Sequence, residues 1–236
     1  MRIMRLKNIS FGYEKKKILD NVSITFKQGD YICLMGDNGS GKTTLMKILA
    51  GLSSPQSGQY ILDDQTIDQD FLQNSKNSRQ FHQCVGYLFQ NSEVQLFNNT
   101  VMDEIKYGLI QMNLPKAEIN HRCEDILHLL EIEDLKERNS VHLSGGEKKM
   151  VAFAAMLALN PDYILLDEPF NDLTRKNSVL IANLLKQLHE SGKTIILTCH
   201  EPFHVRNDVT NLVILKNHQI TYEGAMLSTD KIDALI

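Results

Sequence analysis

Three short stretches of this 236-residue chain place chemically capable residues at spacings that chemistry uses. The first, Gly36-Asp37-Asn38-Gly39-Ser40-Gly41-Lys42-Thr43, fits G-x-x-x-x-G-K-[ST] between an apolar run and a helical pattern. Glycines let successive backbone N–H groups converge on phosphate oxygens, and a helix N-terminus adds a positive end. Lys42 is expected to reach the β- and γ-phosphates of a nucleotide, and the Thr43 hydroxyl to face Mg2+. Asn38, Gly39, Ser40, Gly41 and Thr44 complete the expected nucleotide-binding set.

The second stretch, Ile164-Leu165-Leu166-Asp167-Glu168, is an apolar run ending in two acids. Alone it would read as a strand entering a solvated loop. Following a phosphate loop, it reads as Asp167 holding Mg2+ through water and Glu168 deprotonating an attacking water. The third, Leu143-Ser144-Gly145-Gly146-Glu147, opens a helix with a hydroxyl and two glycines, which makes an anion site. A chain with its own phosphate loop does not need a second one. The economical explanation is that Ser144, Gly145 and Gly146 serve the nucleotide held by another copy.

The elements that must position these residues follow from periodicity. Val22, Ile24 and Phe26 alternate with Ser23, Thr25 and Lys27, the pattern of a half-buried antiparallel strand. Residues 31–35 form a dense apolar strand feeding the glycine loop, and 42–52 a helix stopped at Gly51 and Pro55. A hairpin is expected at 59–62 with its turn at Asp63-Asp64, then a polar surface loop with a short helix to residue 83. Residues 84–89 read as a strand, 99–142 as mostly helical, and 145–159 as a helix. Strands at 163–166 and 194–198 flank a helix carrying Ile181, Leu184, Leu185 and Leu188, and a hairpin (212–215 with 219–222) closes the chain. Strands alternating with helices imply a parallel α/β core.

Composition narrows the class. A net charge of -4 leaves no overall basic footprint, so no nucleic-acid partner is expected. The longest apolar run, 151–159, is too short for a bilayer, and Arg2, Arg5 and Lys7 break any leader-like pattern. Four cysteines without C-x-x-C spacing read as reduced, mostly buried thiols.

Taken together, the three stretches resemble the ATP-binding subunits of ABC (ATP-binding cassette) systems, and the resemblance covers nearly the whole chain. It implies an α/β fold: a P-loop NTPase core with a mainly parallel sheet, an N-terminal antiparallel β region and an inserted helical subdomain. One domain over 1–236 is expected, with the helical part at about 91–158. It also implies ATP hydrolysis at the interface of two cassettes meeting head to tail. Further positions match the family's pattern. Tyr13 resembles the aromatic residue that stacks on adenine, Gln90 the glutamine that senses Mg2+ and the attacking water, and His200 the histidine that contacts the γ-phosphate. The expected catalytic set is therefore Glu168, His200, Gln90 and Lys42; Thr43, Gln90 and Asp167 would face the metal.

Residues 90–97, Gln-Asn-Ser-Glu-Val-Gln-Leu-Phe, followed by Thr100-Val101, look most like energy-coupling-factor and cobalt-type importer ATPases. The implied partners are a second ABC ATPase subunit, identical or related, and an integral membrane transporter subunit. The implied location is the cytoplasm, peripheral at the inner face of the cell membrane, in service of small-solute import. Leu96, Phe97, Met102 and Tyr107 are candidates for the membrane-subunit contact or for core packing. Four positions depart from the family's pattern near the expected interface: Thr174, Phe170, Met150 and Ser92. A soluble ABC ATPase working in DNA repair or translation is the alternative, disfavoured by the single cassette and the lack of heptads. A small-molecule kinase would have no use for Ser144-Gly145-Gly146 or for a hydrolytic Glu168.

Overall fold

The alternation in the first thirty residues resolves into a long hairpin. β1 (Ile3–Tyr13) pairs antiparallel with β2 (Lys16–Lys27), with Met4 opposite Phe26 and Leu6 opposite Ile24. β4 (Ser57–Leu62) joins the other edge of β1 and is followed by β5 (Gln65–Thr66), giving the order β2-β1-β4-β5. Asp63 and Asp64 both have positive φ, 48° and 67°, the requirement of the two-residue turn that fits the twist of paired strands. The computed structural model of the protein describes residues 2–14, 16–200, 202 and 204–236.

Among the described residues the second sheet has six strands in the order β10-β9-β3-β8-β7-β6. They are β3 (Tyr31–Met35), β6 (Val85–Leu88), β7 (Tyr163–Asp167), β8 (Thr194–Thr198), β9 (Asn211–Lys216) and β10 (Gln219–Gly224). All neighbours are parallel except β10, which turns back antiparallel on β9. This matches the expected mainly parallel core beside an antiparallel N-terminal sheet. A parallel sheet buried on both faces needs continuous apolar strands, and β3, β7 and β8 are buried throughout. Tyr31, Cys33 and Met35 point into one core and Ile32 and Leu34 into the other.

The first core lies under α4 (Val101–Gln111), α5 (Lys116–Leu129), α6 (Gly145–Ala158), α7 (Arg175–Glu190) and α8 (Thr229–Leu235). The second lies between the sheets, closed by α1 (Lys42–Leu49) and by Phe81 of α3 (Ser75–Cys84). The carboxyl ends of β3, β6, β7 and β8 deliver the phosphate loop, Gln90, Asp167-Glu168 and His200. This is where open α/β sheets bind their ligands.

Two regions differ from the expectation. Residues 63–83 hold two helices rather than a loop with one: α2 (Gln69–Gln73) and α3. Each starts at a polar cap that apolar periodicity does not register. Asp68 Oδ1 accepts from Phe71 N at 2.8 Å, and Asn74 Oδ1 from Lys76 N and Asn77 N at 3.1 and 3.2 Å. Cys84 thereby ends α3 rather than starting β6. Nor does the final hairpin close the chain, because α8 follows it, with Ile232 buried in the first core and Leu235 packed against it.

Candidate nucleotide site

The phosphate loop is shaped by contacts that only glycine tolerates. Gly36 has φ +148°, and a Cβ there would fall 2.1 Å from the Leu215 carbonyl oxygen of β9. Gly41 has φ +112° and caps α1 without any side-chain hydrogen bond, so the first N–H groups of Lys42, Thr43 and Thr44 lack intrahelical acceptors. Ser40 Oγ is buried and has no hydrogen-bond partner among the described residues. Lys42 is buried and folds back, its Nζ donating to the Gly36 and Asp37 carbonyls at 2.6 and 2.9 Å. Burial pulls its ammonium below the usual lysine value, and the nearby carboxylates of Glu168, Asp167 and Asp37 oppose that pull. Asn38 and Gly39 lie exposed at the loop's tip.

The two acids at the end of β7, Asp167 and the following Glu168, are held differently. Asp167 is buried; its Oδ1 accepts from Thr198 Oγ1 at 2.6 Å and its Oδ2 from the Tyr87 hydroxyl at 3.4 Å. Glu168 sits at φ +49°, a left-handed conformation that costs a non-glycine residue about 1–3 kcal/mol. Its N–H donates to Thr198 Oγ1 at 2.9 Å, and its carbonyl accepts from Lys149 Nζ at 3.0 Å. Its carboxylate faces the open side of the sheet. His200 Nε2 lies 3.1 Å from Oε1, and Oε2 accepts from Gln90 Nε2 at 3.4 Å and from Asn171 Nδ2. Glu168, Gln90 and His200, from three strand ends, thus converge on one point.

Tyr13 ends β1, half exposed, packed edge-to-face on Phe11 with ring centroids 5.0 Å apart. Ser144 caps α6 in a reciprocal capping box. Its Oγ and its N–H donate to Glu147 Oε2 at 2.7 and 2.8 Å, and Glu147 N donates back at 3.3 Å. Those bonds, with Arg138 nearby, hold the Glu147 carboxyl below the usual value. A Cβ on Gly145 would meet nothing within 4 Å, whereas one on Gly146 would lie 2.8 Å from the Asp172 carbonyl. Among the described residues, no hydrogen bond joins this segment to the chain's own phosphate loop.

The departures from pattern take local roles. Thr174 caps α7, Oγ1 accepting from Asn177 N at 3.2 Å; Phe170 stacks with His204 at 5.1 Å; Met150 is core; Ser92 is buried at the start of a 3-10 turn, 92–94. The apolar set also divides. Leu96 and Met102 pack against the core, while Phe97 and Tyr107 are 67% and 45% exposed and stack edge-to-face. Thr43, Asp167 and Gln90 offer hydroxyl, carboxylate and amide oxygens, few and hard, a set that suits Mg2+ completing its shell with water and phosphate. Sequence reasoning passed over Thr198, Tyr87, Asn171 and Lys149. The available signals were a lone hydroxyl inside the apolar 195–199 run and a lysine abutting Met150-Val151-Ala152-Phe153.

Comparison with known proteins gives a consistent result. The family model described as ABC transporter matches residues 19–171. The nickel import ATP-binding protein LarO of Lactiplantibacillus plantarum is 43% identical over 219 residues, 92% of this chain and 91% of its own. The energy-coupling factor transporter ATP-binding protein EcfA1 of Fusobacterium nucleatum is 35% identical, over 94% of this chain and 82% of its own. A dimeric ATP-binding cassette in a post-hydrolysis state with ADP and Pi superposes with a TM-score of 0.86 at 27% identity, covering 95% of this chain and 99% of that one. The structure of cbiO1 from Clostridium perfringens, part of the ABC transporter complex cbiONQ, gives 0.80 at 28% identity, covering 98% and 90%.

Proposed function

This chain belongs to the ABC transporter family and is an ATPase subunit of that kind, and from that premise we propose how its residues turn ATP over and what the turnover drives. Two cassettes bind head to tail. Each ATP lies between the Lys42 loop of one and the Ser144-Gly145-Gly146 segment of the other. Tyr13 stacks on the adenine, and the free N–H groups at the start of α1, with Ser40, Thr43 and Thr44, bind phosphate oxygens. Lys42 exchanges its bonds to the Gly36 and Asp37 carbonyls for the β- and γ-phosphates. Thr43, Asp167 and Gln90 would hold Mg2+, which when bound neutralises charge on the phosphates. Glu168 orients the attacking water and takes its proton, while His200 steadies the γ-phosphate and the Glu168 carboxylate together.

The observation that carries this reading is the convergence of Gln90, Asn171 and His200 on one carboxylate beside a phosphate loop. The trans arrangement rests on Gly145, where an added Cβ would meet nothing within 4 Å among the described residues, so no close contact in its own chain calls for a glycine there. Closure excludes bulk water, and reopening after hydrolysis is a rigid-body motion that does work. The helical part, 91–158, carries that motion to an integral membrane subunit through the exposed pair Phe97 and Tyr107. Among the described residues, no helix is long and apolar enough to cross a membrane. In this reading the chain sits peripherally at the cytoplasmic face, beside that membrane subunit. Import of a small solute is favoured by the nickel-import and energy-coupling-factor names of its relatives.

The test is capture from gently solubilised native membranes, using tagged Glu168→Gln protein with ATP-Mg2+ and mass spectrometry. A stoichiometric multi-span membrane protein is the expected partner, with a second cassette present if the dimer is mixed. Recovery of ribosomal or DNA-repair proteins alone would refute the transport role.

A further inference from the structure

Lys149 is a buried cation that the hydrolytic scheme leaves unused. It is 1% exposed on α6, five residues beyond Ser144, with methionine, valine and alanine following it into the core. A buried ammonium is tolerated only where acceptors meet it. Here Nζ donates to two backbone carbonyls, those of Gln90 at 3.2 Å and Glu168 at 3.0 Å. Burial pulls its pKa down, countered by Asp172, Glu168 and Asp167. A methionine like its neighbour Met150 would fill the same space without that desolvation. Packing alone therefore does not explain a lysine at this position.

The two carbonyls belong to residues that converge on the water-activating carboxylate. Glu168 is held in its left-handed conformation from both sides, its N–H by Thr198 and its C=O by Lys149. The preceding residue strengthens the link, since Lys148 Nζ lies 2.5 Å from Glu93 Oε1 in the turn just after Gln90. Thus α6 grips the Gln90 loop twice and the Glu168 backbone once. Its other end is the Ser144-Gly145-Gly146 segment, exposed at Ser144 and Gly145. A helix moves as a rigid rod over one turn, so a shift at its first residues is a shift at Lys149.

We propose that Lys149 is a positioning residue linking the two ATP sites of the dimer: engagement of the α6 N-terminus by the partner's ATP sets, through Lys149, the backbone of Glu168 and Gln90 in its own site. This rests on the trans arrangement proposed above. Separated sites that share such a link show cooperativity, and severing it removes the cooperativity without removing either site.

The experiment compares wild type, Lys149→Met, Lys149→Arg and Glu168→Gln for ATP affinity, kcat, KM, Hill coefficient and Tm, in the ATP-hydrolysing assembly. Lys149→Met is expected to bind ATP within about twofold of wild type. Its kcat should fall about 10–100-fold, the loss of one or two charge-assisted bonds, and its Hill coefficient should approach 1. Lys149→Arg, which keeps donors, should recover most of both. Should Lys149→Met not fold, the same readings are taken on Lys149→Gln, which keeps N–H donors without the charge and should lose cooperativity in part. A folded Lys149→Met or Lys149→Gln protein with wild-type kcat and Hill coefficient overturns the inference, as does a lower Tm with kcat per folded molecule unchanged. A wild-type Hill coefficient of 1 also overturns it. An active Glu168→Gln control would instead bring down the hydrolytic reading on which it rests.

Discussion

The molecule has two helix N-termini suited to phosphate, and they are built in opposite ways. At α1 the chain spends its geometry on the site. Gly36 and Gly41 are forced by backbone and packing and Lys42 is buried against its own loop; among the described residues Ser40 has no hydrogen-bond partner and no side chain caps the helix. At α6 the helix is already capped by Ser144 and Glu147, Ser144 and Gly145 are exposed with Gly145 in open space, and only the half-buried Gly146 is tied to its own chain, against the Asp172 carbonyl. The first is organised to bind a ligand by itself. The second is complete as a structure, and in the proposed dimer it becomes half a site when the partner supplies the other half. A helix dipole and glycines are common to both; what differs is who needs the glycine.

Paired alanine substitutions break the comparison most strongly. Gly36→Ala drives a Cβ against the Leu215 carbonyl, so the fold should lose about 2–4 kcal/mol, a Tm drop of about 5–10 °C, together with ATP binding. Gly145→Ala has room and should leave Tm within about 1 °C, because alanine suits a helix better than glycine. Its cost should appear only in hydrolysis by the dimer. Thermal melts and ATP titrations on the isolated chain, followed by turnover assays, separate the two; equal melts would erase the distinction. A smaller effect sharpens it. Glu147→Ala removes half of the capping box and should lower stability by about 0.5–1 kcal/mol, seen as about 1–4 °C in Tm, with ATP affinity unchanged.

Much of this was legible in the residue order, for a physical reason. Phosphate loops and strand-end acids work through contiguous backbone, so 36–43 and 164–168 announced the fold and located the proposed site. Alternation gave β2, and continuous apolar runs gave β3, β7 and β8. What escaped was chemistry made by tertiary contact. Thr198 serves two acids on the neighbouring strand, Asn171 turns back three residues onto Glu168, and Lys149 reaches carbonyls on two other segments. The left-handed backbone at Glu168 carries no compositional mark, because glutamate is not a residue that prefers it. The caps of α2 and α3 were readable as Asp68 and Asn74, but only to a search for capping rather than periodicity.

The trans site is tested most directly by mixing two inactive proteins. Ser144→Arg spoils the α6 segment and leaves the phosphate loop intact; Lys42→Ala does the reverse. Each alone should hydrolyse ATP at about 1% of wild type or less. In the mixed dimer, the loop of the Ser144→Arg chain faces an intact Ser144-Gly145-Gly146, and one whole site is rebuilt. Recovery of activity on mixing, to a substantial fraction of one site's share, is the predicted result. An Ser144→Arg protein active by itself, or mixed dimers that form and stay inert, would contradict the account.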